Sequence, residues 1–385
     1  MSRPAPSRSP SLPSSPPLRN TVLTELSHPL APYGWDEGFA DSFTAHAAGG
    51  AVPGRIVRVD RGRCDVVVPA PDGTGVHTVQ ADTALVTTGD PLNIMCTGDW
   101  AAVDTDRAMV LALLPRRSAF VRSTSSKRSE GQVLAANVDH AVIAVSLAVE
   151  LDLGRVERFL ALAWESGAEP VVVLTKADLV PDPVVLGHLV ADTETVAPGA
   201  QVLAVSAETG EGVDVLAASL TGGTSVLLGQ SGAGKSTLAN ALVGEDVQGV
   251  NAARDRDGKG RHTTTTRNML KLPSGGVLID TPGLRGVGLW DAGSGLSQTF
   301  AEIEELAARC RFHDCGHAAE PGCAVLAAVG SGELGQRRLD SYRKLQRENA
   351  WIASRTDARL RAEIRRDWKQ KSAEGREAYA RKRGL

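Results

Sequence analysis

A chain of 385 residues exceeds the roughly 100–200 residues of one ordinary domain, so two to four domains are expected. Hydrophobic residues make up 42% and charged residues 23%, which excludes a collagenous, coiled-coil or wholly disordered protein. The net charge of −3 conceals segregation, because residues 337–385 hold sixteen Lys/Arg against seven Asp/Glu and leave −12 for the remainder. The basic end suits phosphate. No run of about 18 apolar residues occurs, and the N-terminus MSRPAPSRSPSLPSSPP lacks the apolar segment of a secretory signal. A cytoplasmic protein without membrane contact is expected.

Residues 1–44, rich in Pro, Ser and Ala, are expected as a disordered N-terminal extension with a short helix near Trp35–Phe43. In residues 45–116 short β-type runs recur at Gly54–Asp60, Cys64–Val68, Val76–Val79, Thr83–Thr87, Trp100–Asp104 and Ala108–Leu114, with turn signals between them. That pattern predicts a small OB-type β-barrel. Its aromatics do not suggest a base-stacking platform. Cys64 and Cys96 read as core thiols.

Residues 117–290 alternate apolar runs (Ala141–Leu147, Val171–Leu174, Val202–Val205, Ser225–Leu228, Val277–Ile279) with helical stretches (Arg155–Glu165, Val213–Leu220, Lys235–Val243). Near-continuous apolar strands with helical crossovers predict a parallel sheet covered on both faces. Residues 291–385 read as a helix (Gln298–Ala308), a Cys/His knot and a basic helical tail. The fold class is multidomain α/β.

Gly229-Gln230-Ser231-Gly232-Ala233-Gly234-Lys235-Ser236 fits G-x-x-x-x-G-K-[ST], follows a strand and opens a helix. Its glycines let backbone N–H groups point at phosphate oxygens. Lys235 supplies charge to the β and γ phosphates, and Ser236 a ligand for Mg²⁺. Asp280-Thr281-Pro282-Gly283 closes a later apolar strand, where Asp280 is placed to hold Mg²⁺ through its water shell and Gly283 to bond the γ-phosphate. Between them lies Gly260–Thr266 (GRHTTTT), whose Thr264 is the favoured completing Mg²⁺ ligand, with Thr265 second.

Thr175-Lys176-Ala177-Asp178 has the form of the guanine-reading N-K-x-D element, with Thr at the usual Asn position. Asp178 can accept from guanine N1–H and N2–H₂, a donor pair adenine lacks. Ser206-Ala207 has the form of the short element whose backbone N–H reads guanine O6. Both precede Gly229, the reverse of the usual order, so the sheet is expected to be circularly permuted. The segment after Gly283 then leads straight into the C-terminal module.

Cys310, Cys315, His317 and Cys323 supply three thiolates and one imidazole within fourteen residues, which suits a closed, structural Zn²⁺ site. His313 competes with His317 as the imidazole ligand.

Taken together, the barrel, Gln132–Asp139 (QVLAANVD), Thr175–Asp178, Gly229–Thr237, Gly260–Thr265, Asp280–Gly283 and the Cys310–Cys323 knot with Ala324-Val325 resemble the circularly permuted ribosome-assembly GTPases of the RsgA (YjeQ/EngC) family. The resemblance implies an OB-fold, a permuted GTPase domain and a zinc domain. It also implies late maturation of the small (30S) ribosomal subunit through contact with 16S rRNA, and GTP hydrolysis to GDP stimulated by that subunit. The N-terminal extension and the longer basic C-terminus depart from the family pattern. Leu284 stands where classical small GTPases place a water-orienting Gln, and leucine cannot orient water. His262 is the candidate for that task. Competing readings are an RNA-binding P-loop ATPase and an RNA-binding module with a vestigial nucleotide site. A monomer is expected, since no heptad seam is present.

Overall fold

The computed structural model describes residues 28–123, 131–244, 268–280 and 292–356. The expected helix near Trp35–Phe43 is α1 (Glu37–Ala47), and Asp36 caps it by accepting from the Phe39 N–H at 3.1 Å. Residues 28–44 of the expected disordered extension are described and ordered, as a 3₁₀ turn (Ala31–Tyr33) and the start of α1. The reason is apolar: Leu30, Trp35, Phe39 and Phe43 are buried around Trp100 of the barrel. Arg117 fastens the helix from the far side, with its guanidinium 3.6 Å from the Phe39 ring centroid and forked onto the Asp36 carboxylate. That fork holds the Asp36 carboxyl below its ordinary range.

Five strands, β1 (Val52–Asp60), β2 (Arg63–Pro69), β3 (Val76–Asp82), β4 (Trp100–Asp104) and β5 (Met109–Leu113), form a closed barrel in the order β1-β2-β3-β5-β4. Ile56, Cys64, Val66, Val68, Val103 and Val110 fill it. Gly54 is required, since a Cβ there would run into the Val66 and Val103 methyls. Cys64 and Cys96 are buried, as their apolar surroundings suggested, and burial pushes the Cys64 thiol up to about 12. The run Thr83–Thr87 is not a strand but a 3₁₀ turn (Ala84–Val86). Asp82 accepts from the Ala84 N–H at 2.7 Å and the Thr87 hydroxyl donates to the Thr83 carbonyl at 2.9 Å, local bonds that replace a ladder.

The hairpin of β6 (Ala119–Ser123) and β7 (Gly131–Ala136) leads into a six-stranded sheet. Its strands are β8 (His140–Ser146), β9 (Glu169–Thr175), β10 (Gln201–Val205), β11 (Thr224–Leu228), β12 (Asn268–Lys271) and β13 (Val277–Asp280), in the order β10-β9-β8-β11-β13-β12. All neighbours are parallel except β12 and β13. Successive residues alternate faces, as the strand repeat of two dictates. Ala141, Ile143 and Leu228 pack under α2 (Leu153–Ser166), whereas Val142, Val173 and Leu227 pack on α4 (Val213–Ser219) and α5 (Lys235–Val243). The sheet is therefore buried on both sides.

The first of these faces continues without a break into the C-terminal helices. Leu296, Ile303, Val325, Leu339 and Tyr342 belong to the same core cluster as Phe159 and Leu160 of α2. The helix expected over Gln298–Ala308 is two short ones, Gly293–Thr299 and Ala301–Ala307, broken at the buried Phe300. A helix over Ala324–Ser331 and a long one over Gln336–Thr356 complete the unit.

At the other end of the sheet, Arg55 of β1 joins barrel to strand. It is 1% exposed, stacks 4.7 Å from the Trp100 ring centroid, and donates to the Asn137 carbonyl (3.0 Å) and the Thr224 hydroxyl (2.9 Å) at the start of β11. Asp139 accepts from the Thr224 N–H at 2.7 Å. The strand that carries the phosphate loop is thus anchored at its root.

Candidate functional site

Every residue of β11 is buried, and the chain leaves it through Gly229 at φ 136°. A side chain at Gly229 would strike the Ala144 carbonyl of β8, so only glycine lets the loop turn so close to the sheet. Gly232 and Gly234 also sit at positive φ, both 81°, and α5 begins at Lys235. The expected strand-loop-helix context is present. Lys235 Nζ lies inside the curl of the loop, donating to the Gly229 carbonyl at 2.7 Å and to the Gln230 carbonyl. Ser236 and Thr237, on the first turn of α5, are exposed toward the open side.

The two elements expected to read the base converge on this loop from the neighbouring strands. Thr175 ends β9, is 4% exposed, and donates its hydroxyl to the Ala233 carbonyl of the phosphate loop at 2.8 Å. Threonine at this position therefore ties the two loops together. Lys176 follows in the left-handed region at φ 61°, an uncommon conformation for a non-glycine residue. Asp178, on the next turn, accepts from the fully buried Ser206 hydroxyl at 2.6 Å. Ser206 Oγ in turn accepts from the Thr209 N–H at 3.2 Å. A cavity of about 300 Å³ opens between these loops and α5, lined by Lys176, Asp178, Leu179, Ala207, Glu208 and Thr237. Its size falls within the range of small-molecule pockets.

Thr175, Lys176, Ala177, Asp178, Ser206, Ala207 and Gly229–Thr237 are thus brought to one edge of the sheet. Asp280 ends β13 beside β11, its backbone paired with Asn268. His262, Thr264 and Gly283 lie outside the described residues. Sequence reasoning missed Leu179 and Glu208 at the cavity wall, and Arg155 of α2, whose guanidinium donates to the Gln230 side chain of the phosphate loop at 2.8 Å. Only its place directly after Asp178 could have marked Leu179; its 55% exposure is apparent from the fold alone.

The second site is the Cys/His knot. The ligand atoms of Cys310, Cys315, His317 and Cys323 all lie within 4.8 Å of one another. A tetrahedral zinc with bonds of about 2.3 Å to sulfur and about 2.0 Å to nitrogen has edges of about 3.8 Å between sulfurs and about 3.5 Å from sulfur to nitrogen. The observed spacings are 3.8 Å from Cys310 to Cys323 Sγ, and 3.7 and 3.5 Å from those sulfurs to His317 Nδ1. The donor set fits the ion. His317 is buried at φ 55° and burial lowers its pKa, favouring the neutral imidazole a metal needs. His313 is exposed and outside the cluster, so the knot selects His317. Cys323 caps the helix Ala324–Ser331 and accepts from the Leu326 N–H at 3.4 Å.

Nucleotide and metal sites are joined through α2. Glu157, with no exposed surface, accepts from Arg337 (2.8 and 3.1 Å), Arg338 (2.8 Å) and Ser341 of the long C-terminal helix. Arg338 also reaches Glu302 at 2.6 Å and the Val196 carbonyl at 3.3 Å. Nothing in the local sequence marks Glu157, because charged residues on a surface helix look alike until their partners are placed.

Comparison with known proteins agrees with this architecture. The family described as RsgA GTPase matches residues 113–290. A small ribosomal subunit biogenesis GTPase RsgA from Streptomyces avermitilis is 70% identical over 364 residues, covering 94% of this chain and 97% of the relative. One of the same name from Streptomyces coelicolor is 69% identical over 357 residues, covering 92% and 96%. The crystal structure of YjeQ from Thermotoga maritima superposes with a TM-score of 0.57 at 27% identity, over 78% of this chain and 98% of that one. YloQ, described as a circularly permuted GTPase, shares the fold at a TM-score of 0.57 and 22% identity, over 78% of this chain and 95% of that one. In the present chain β9 and β10 precede the phosphate-loop strand β11, the knot gathers three cysteines and a histidine, and identity to the two Streptomyces relatives runs over nearly their whole length; the chain belongs to the RsgA family of GTPases.

Proposed function

We propose that this chain is a GTP-hydrolysing assembly factor for late maturation of the small (30S) ribosomal subunit, contacting 16S rRNA in the cytoplasm as a monomer and stimulated by the subunit. The observation that carries the reading is the tie between base-reading and phosphate loops, Thr175 Oγ1 to the Ala233 carbonyl at 2.8 Å, beside a cavity walled by Asp178. Relatives that cover nearly the whole chain carry the name small ribosomal subunit biogenesis GTPase. No helix among the described residues is long and apolar enough to cross a membrane.

In this reading Asp178 accepts from the guanine N1–H and N2–H₂ while the Ala207 N–H donates to O6. Lys235 exchanges its loop carbonyls for the β and γ phosphates. Ser236, Asp280 and Thr264 would hold the Mg²⁺ that accompanies GTP, which would supply positive charge to the γ-phosphoryl group. Gly283 bonds the γ-phosphate, and His262 positions the attacking water. One zinc ion in the Cys310–Cys323 knot is structural, since four protein ligands leave no position for substrate. Competition binding tests the base assignment: unlabelled GTP and GDP displace a labelled guanine nucleotide, and ATP in large excess does not. Displacement by ATP at comparable concentration would return the P-loop ATPase reading.

A further inference from the structure

The metal knot carries an exposed tip that its ligands do not explain. Of the six phenylalanines in the chain, Phe39, Phe43, Phe120, Phe159 and Phe300 are buried, and Phe312 is 40% exposed. It lies between Cys310 and Cys315, so two ligands of the knot bracket it and fix both ends of its loop. Arg309 and Arg311 flank it, both exposed, and neither has a carboxylate partner among the described residues. Arg311 is held in place by its own stem. Its Cβ and Cδ lie 3.0 and 3.3 Å from where a Cβ on Gly322 (φ 78°) would stand, so only glycine admits it, and its guanidinium sits 5.5 Å from the Phe312 ring centroid.

Two carboxylates lie within the knot, Asp314 in the same loop and Glu320 in the next. Glu320 lies at the surface with its carboxylate engaged, accepting from the N–H groups of Gly316 (3.0 Å), Ala318 (2.7 Å) and Ala319 (3.0 Å). Backbone N–H groups, its own first and then those of Ala319, Ala318 and Gly316, pull its pKa down to about 2. Asp314 is exposed, so the two arginines face one carboxylate that is not already taken up by backbone donors. An exposed aromatic ring beside a planar guanidinium, on a loop braced at both ends, is the arrangement that stacks a splayed base and grips its phosphate.

We propose that Arg309–His313 is an RNA contact: Phe312 stacks on one unpaired base, and Arg309 and Arg311 hold the adjoining phosphates. The proposal rests on the subunit-binding reading above and names a contact within it. Being braced by the knot, the tip needs little ordering on binding.

The test uses full-length, zinc-loaded protein and isolated small subunits, with affinity measured in a non-hydrolysable GTP analogue across a salt series. Phe312→Leu keeps the apolar character but cannot stack, and is expected to weaken binding about tenfold. Phe312→Trp is expected to bind at least as tightly as wild type. Arg309→Gln and Arg311→Gln should each reduce the slope of log affinity against log salt by about one. Zinc content and subunit-free GTP hydrolysis should stay at wild-type values in all four, which separates lost contact from lost fold. Phe312→Leu binding as wild type does would mean an apolar protein contact or none, and overturns the proposal; so does an unchanged salt slope in both arginine variants. Wild-type protein that fails to bind subunits at all overturns the functional reading together with this contact, whereas normal wild-type binding with unaffected variants removes the contact alone.

Discussion

Thr175 shows how far one residue's chemistry can be followed from sequence. Its place in a T-K-x-D string identified the loop, but the departure from asparagine carried no meaning until the hydroxyl was found bonded to the Ala233 carbonyl. A side chain's partner fifty-eight residues away is invisible to local pattern. Asp178 is the opposite case, because its role follows from valence alone: a carboxylate accepts from two guanine donors and can offer none. Asp178→Asn supplies an amide N–H₂ where the 2-amino group of guanine now points, and that N–H₂ pairs with a carbonyl at the same position. The variant should bind GTP at least tenfold more weakly, about 1.4 kcal/mol or more, and gain affinity for xanthosine triphosphate. Titration with both nucleotides checks it; unchanged GTP affinity would remove Asp178 from the base site.

Among the elements, those with strong periodicity were legible and those set by context were not. The apolar runs of β8, β9, β10, β11 and β13 stand within two residues of expectation, because burial on both faces leaves only apolar residues. The α3 helix (Pro183–Val196) was missed, since it buries only Thr193 and Val196 and shows no apolar stripe. The α2 helix was expected, but its buried Glu157 was not, because the Arg338 that neutralises it lies 181 residues on. Removing one partner of such a pair leaves a buried charge uncompensated. Glu157→Ala should therefore cost about 3–5 kcal/mol, read as a lower thermal unfolding midpoint, and Glu157→Leu combined with Arg338→Met should recover much of it. A midpoint equal to wild type in Glu157→Ala would show that the long C-terminal helix does not depend on this pair. The metal knot makes a parallel prediction. Chelation should release one zinc per chain and lower the unfolding midpoint, while guanine-nucleotide affinity is retained because the nucleotide site draws no ligand from the knot. Loss of nucleotide binding on chelation would contradict that separation.

Across the whole molecule, permutation places the parts in a useful order. The phosphate loop leaves the centre of the sheet, with β8, β9 and β10 on one side and β13 on the other, after which the chain passes to the cysteine knot. The C-terminal helices share one core with α2, and α2 touches the phosphate loop through Arg155 and Gln230. Barrel and sheet are joined at the opposite end through Arg55. The body that binds nucleotide is thus continuous with the surfaces available to a large partner, and the charge segregation in the sequence already pointed to a phosphate-rich one. Sequence order and motif chemistry pointed to the barrel, the permuted sheet and the cysteine knot. They did not reveal that its domains are tied by buried arginines, since such ties are long-range and specified by geometry. The central claim is that this site hydrolyses GTP under the control of the small ribosomal subunit. The most direct measurement is steady-state GTP turnover with and without isolated small subunits, at low and high salt. Turnover should be slow for the protein alone and rise at least tenfold with subunits at low salt, and the rise should fade at high salt as phosphate contacts weaken. Equal turnover with and without subunits at both salt concentrations would contradict it.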